Sequence, residues 1–164
     1  KIFGDNHLDV AASLINLGAL YRSRGELNTA VQHAEDGIRI VQLQAGHTHP
    51  YIAEAMNDIG VALRLLGRFD MAVDKCQEAF AMWQQLVGED HPDSVTAHIC
   101  LAVALCEVGR VEEASKIHER RSAGQELLHG LALEQFVVLQ AKLALRTSSK
   151  ETWATSTPHE AVWQ

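Results

Sequence analysis

Apolar positions recur along this chain at helical spacing, in three copies that share one frame. Leu14, Leu17, Gly18 and Tyr21 form an i, i+3, i+4, i+7 stripe, and Met56, Ile59, Gly60 and Leu63, then His98, Leu101, Ala102 and Leu105, repeat it 42 residues apart. Each stripe predicts an amphipathic helix with one buried face. A second helix follows every stripe, through Ala34, Ile38 and Val41 in the first copy and through Cys76, Ala79, Phe80 and Trp83 in the second. Between the two helices stand Gly25, Gly67 and Gly109, and the second helices begin with Ala30, Ala72 and Ala114. Copies are joined by clusters in which Gly4, Gly46 and Gly88 precede His7, His49 and His91, with Pro50 and Pro92 after the last two. Glycine accepts the positive φ that follows a helix, and proline suits the first turn of the next.

A small residue inside every stripe, Gly18, Gly60 or Ala102, buries little area. A mid-helix glycine is about 1 kcal/mol worse than alanine, so close approach of a neighbouring helix must offset it. These features together resemble the tetratricopeptide repeat (TPR) family in its longer, kinesin-light-chain-like form. The resemblance rests on Leu17-Gly18-x-x-Tyr21, Ile59-Gly60 and Leu101-Ala102, the inter-helix glycines, the alanine series, and the linkers Gly46-His47-Thr48-His49-Pro50 and Gly88-Glu89-Asp90-His91-Pro92. It spans roughly residues 1–120. The common repeat is about 34 residues, and the longer form matches the 42 found here. The resemblance implies an all-α, right-handed superhelical α-solenoid of antiparallel helix pairs with a C-terminal capping helix.

The expected organisation is 1–8 as the tail of a preceding repeat and linker, 9–50 as repeat 1, 51–92 as repeat 2, and 93–126 as repeat 3. Repeat 3 diverges in its second helix, where Arg121, Ser122 and Gln125 replace Gly37, Ile38 and Val41. Residues 127–147 are expected to form a capping or degenerate fourth-repeat helix, since an open array end exposes an apolar face. Leu128, Phe136, Leu139 and Leu143 in that stretch are alternatively candidates for self-association, which would make a homodimer. Residues 148–164 read as a flexible tail in which Trp153 and Trp163 are isolated anchors, able in principle to fold back on the groove. With no initiator methionine, the chain is expected to be a piece of a longer protein.

Composition narrows the function. The chain has 164 residues, 47% of them apolar, and a formal net charge of −7. That charge argues against a nucleic-acid grip or an anionic membrane surface, and no run of about 18 apolar residues appears. Cys76, Cys100 and Cys106, all on expected helices, suit reduced thiols and a cytoplasmic location. His47 and His49 have no third ligand nearby, so no metal or cofactor is expected, and His98 and His118 read as core histidines. No nucleophile elbow, phosphate loop or dinucleotide fingerprint occurs, so no enzyme activity is expected.

The resemblance implies instead a noncovalent protein- or peptide-binding scaffold whose concave groove is lined by the first helices. Carried onto this sequence, the lining is Ala12, Ile15, Asn16, Ala19, Arg22 and Ser23 from repeat 1. Repeat 2 supplies Glu54, Asn57, Asp58, Val61, Arg64 and Leu65, and repeat 3 Thr96, Ile99, Val103, Cys106 and Glu107. Arg22 and Arg64 occupy equivalent places and are expected to stand side by side, open to an acidic ligand. The clamp of chaperone-tail-binding members is absent, because Ile15, Ala19, Asp58, Thr96 and Cys100 stand at its positions. The other reading is a regulatory or self-associating segment of a larger multidomain signalling protein, acting through the apolar region 127–145.

Overall fold

A histidine starts each of three helices, and a glycine ends each of them. The computed structural model describes residues 7–122 and 137–145. Its helices are α1 (Leu8–Ser23), α2 (Leu27–Ala45), α3 (Pro50–Leu65), α4 (Phe69–Val87), α5 (Pro92–Glu107) and α6 (Val111–Ser122), and residues 137–145 are helical as well. No strand is present among the described residues. His7, His49 and His91 are N-caps: their Nδ1 atoms accept from the backbone N–H of Asp9, Tyr51 and Asp93 at 3.2, 3.1 and 3.3 Å. Each thereby satisfies one of the donors that a helix start leaves without an intrahelical partner.

The other end of each first helix closes with one motif, used three times. Gly25, Gly67 and Gly109 have φ of +80°, +76° and +83°, a region that side chains with a Cβ rarely occupy. That turn lets the next N–H reach back, Glu26 to the Tyr21 carbonyl at 3.0 Å, Arg68 to Leu63 at 2.9 Å and Arg110 to Leu105 at 2.9 Å. Paired with the glycine N–H bonds to Arg22, Arg64 and Cys106, these are Schellman closures. The chain reverses in three residues and the second helix lies against the first.

How tightly the pair packs is set by the small residues. A Cβ on Gly18 would stand 3.0 Å from the Ala30 carbonyl oxygen, and one on Gly60 would stand 2.5 Å from Cys76 Sγ. Gly37 returns the arrangement from the second helix, where a Cβ would meet Ile15 Cγ1 at 2.6 Å. Ala30, Ala72 and Ala114 are all buried at these crossings. Burial pushes the Cys76 thiol up to about 12 and holds Cys100 well above the ordinary thiol value, so both are packing groups.

Beyond each pair, every helix packs on the next, and α1, α3 and α5 also meet one another directly, whereas α2 and α4 make no comparable contact. The first helices therefore occupy the inner side of the stack and the second helices the outer. One apolar core runs through all three repeats from Ala11 to Ile117 and includes Leu139.

Leu139 bears on the self-association reading. It is fully buried within its own chain, Leu143 packs beside it, and Lys142 Nζ reaches Glu107 Oε1 at 2.9 Å. Leu139 is therefore already covered by this core, whereas Val137 and Leu145 of the same segment are exposed. Leu128 and Phe136, with Gln125, the tail 148–164 and most of the preceding-repeat segment, lie outside the described residues.

Gly60→Leu is expected to overpack α3 against α4 and lower stability by about 1–3 kcal/mol, measured by urea denaturation. Adding Cys76→Ala should recover part of that loss, and an unchanged midpoint in the single variant would refute the close-packing account.

Candidate functional site

The inner face carries an open cavity of about 430 Å³ bounded by three first helices and one second helix. Ala19 and Arg22 come from α1, Glu54, Asn57 and Asp58 from α3, Asp93 and Thr96 from α5, and Trp83 from near the end of α4. The polar groups are there because the face of each first helix opposite its pair partner has no apolar neighbour to meet. The exception is Asn57. It holds the place taken by Ile15 in repeat 1 and Ile99 in repeat 3, and it is only 6% exposed.

Charge is organised between repeats. Arg22 Nε lies 3.2 Å from Asp58 Oδ1, with the two side chains 18% and 13% exposed. One repeat further, Arg64 Nη1 lies 3.5 Å from Glu107 Oε1. Both pairs connect neighbouring first helices, and Glu107 also receives Lys142. Burial holds the Asp58 carboxyl above the ordinary aspartate value, and Arg22 opposes that rise. Glu54 is raised too, first by its partial burial and then by the Asp58 and Asp93 charges. Asn57 Oδ1 is buried without a hydrogen-bond partner. Among the described residues no group of three metal-ligating side chains comes together.

Periodic closures, small-residue crossings and an inner face built from first helices describe one kind of repeat, and two family models for the tetratricopeptide repeat match residues 10–51 and 51–126. The chain belongs to the tetratricopeptide repeat family. Among solved structures, BtubC (BKLC) from P. vanneervenii is similar over 96% of this chain and 70% of its own, with TM-score 0.67 and 18% identity. A variant form of the kinesin light chain nearly identical TPR-like repeats of Podosopora anserina is similar over 77% of this chain and 61% of its own, with TM-score 0.61 and 22% identity. A second structure of those repeats is similar over 86% of this chain and 60% of its own, with TM-score 0.56 and 22% identity. This chain thus spans about three-fifths of the length of the Podosopora anserina proteins. No curated protein matches in sequence.

Tetratricopeptide repeats generally mediate protein–protein interactions, and the inner face is where the sequence-based groove residues are best judged. Ala19, Arg22, Glu54, Asn57, Asp58 and Thr96 line one cavity. Ile15, Val61, Ile99 and Val103 do not lie on the surface: each is buried, because the first helices meet one another and their pair partners along those positions. Asn16 is exposed but lies outside the cavity lining. Arg22 and Arg64 are not two open cations for an acidic ligand, since each is engaged by a carboxylate of the next repeat. His98 is buried and stacks on Phe80, with ring centroids 4.0 Å apart. Trp83 and Asp93 join the lining without being expected there from the sequence. A tryptophan at the place of Val41 is the only sequence signal for the first, and Asp93 reads as an ordinary helix-start acid.

Two outcomes follow from these electrostatics. A carboxyl raised in the folded state binds its proton more tightly there, so stability falls as pH rises from the ordinary glutamate value of 4.5 through the raised one. Glu54→Gln should therefore melt higher than the parent at pH 7 and level with it below about pH 4, read by calorimetry. Arg22→Ala strands Asp58 and should lose about 1–3 kcal/mol at pH 7, with most of it regained in Arg22→Ala/Asp58→Leu by urea denaturation.

Proposed function

We propose that this chain is a noncovalent scaffold that binds a protein segment in extended form along the inner face of α1, α3 and α5. The observation that carries the reading is the cavity into which three successive first helices each contribute polar side chains. Ion pairs between repeats and small-residue crossings within them hold those side chains in place before any ligand arrives. A preorganised surface reduces the ordering cost of association. No helix among the described residues is long and apolar enough to cross a membrane, and the net charge of −7 disfavours nucleic acid as the partner. The alternative of self-association through the apolar region 127–145 is weakened by the burial of Leu139.

The test is a pull-down from cell extract with the full chain beside Glu54→Ala/Thr96→Arg, chosen because neither residue supports an inter-repeat ion pair. Partners retained by the parent are expected to be lost by the variant while its circular dichroism stays close to the parent's and its melting temperature does not fall below the parent's. Equal capture by both folded proteins would move the binding surface off the inner face.

A further inference from the structure

The lining of the inner cavity is unbalanced in charge. Glu54, Asp58 and Asp93 face it, against the single cation Arg22, which Asp58 already engages. From these positions we infer that the cavity receives the cationic side chain of an arginine borne by the bound segment. This rests on the inner-face binding reading above and gives the partner its chemistry, a basic rather than an acidic peptide.

Three observations carry it. Glu54 stands one turn before Asp58 on α3, and Asp93 joins them from the first turn of α5, so carboxylates border the cavity from two repeats. Asn57, more than nine-tenths buried, lines the same cavity; its side chain hydrogen-bonds Cys100, and its Oδ1 is left without a partner. An unpartnered buried acceptor is unfavourable, and a guanidinium with five N–H donors supplies what both it and the carboxylates lack. Trp83 adds an aromatic wall, the best ring for packing a cation. Metal binding does not fit, because no three ligating side chains converge among the described residues. Asp93 is not locked elsewhere by a strong partner: its Oδ2 lies 3.4 Å from His91 Nδ1, an ion pair only if that imidazole is protonated.

The upward shift of Glu54 adds thermodynamic sense to the geometry. Its ionisation is disfavoured by burial and by Asp58 and Asp93, and a cation arriving among these groups removes that penalty. Ligand binding and proton release are thereby linked.

The experiment uses fluorescein-labelled degenerate nonapeptide pools with a fixed central Arg, norleucine or Glu, titrated with the full chain and followed by anisotropy at physiological salt. The Arg pool is expected to bind at least about tenfold more tightly than the other two. That preference should fall below about twofold in Glu54→Gln/Asp93→Asn and persist in Glu35→Gln/Asp74→Asn, which removes the same charge from exposed positions on α2 and α4. A preference surviving equally in both double variants would assign it to net charge and overturn the pocket. Norleucine or Glu pools that bind as well as the Arg pool would overturn the cation site while leaving inner-face binding in place. Absence of binding by every pool would refute both.

Discussion

The missing Cβ atoms of Gly18 and Gly60 set the distance between the helices of a pair, and other distances in the array follow from that one. With the α1–α2 and α3–α4 pairs drawn together, the Schellman turns close in three residues, alanines suffice at the crossings, and the first helices come near enough to touch across repeats. Repeat 3 reaches the same end with Ala102, fully buried in the core. A repeat array distributes its stability among units and their interfaces. Here the interfaces carry an apolar seam and, on its inner edge, buried or half-buried ion pairs.

Those ion pairs decide what the inner face offers. Arginines that look from the sequence like ligand contacts are occupied in joining repeats, and what remains open beside them is carboxylate. The same frame that places Ile15 and Ile99 in the seam places Asn57 there, and a polar residue in an apolar position shows itself as an acceptor with nothing to accept. Glu54 and Asp58 are both held against their preference for full ionisation. Binding sites commonly hold such strain at the expense of stability.

The fold was legible because period, glycine placement and stripe spacing are local and repeated three times. The site was legible only in part, for reasons that belong to particular residues. Knowing that Arg22 and Arg64 are equivalent places them in line, but not opposite Asp58 and Glu107, because those acids occupy different positions of the repeat. A rule for the family places Ile15, Val61, Ile99 and Val103 on the open face. The rule does not record how deeply this chain's first helices embed in one another. Trp83 enters the cavity from a second helix, which no reading confined to first helices finds.

The histidine caps make the three linkers alike in backbone bonding and unlike in what stands beside each ring. A ring nitrogen that accepts a backbone N–H carries no proton, so all three imidazoles share the Nε2–H tautomer. Asp9 and Asp93 place a carboxylate oxygen 3.2 and 3.4 Å from the ring nitrogens of His7 and His91. His49 has Tyr51 in the corresponding place, its ring centred 5.0 Å away. The three junctions are therefore graded rather than identical, and the one between the first and second repeats sets an aromatic ring beside its cap where the other two set a carboxylate.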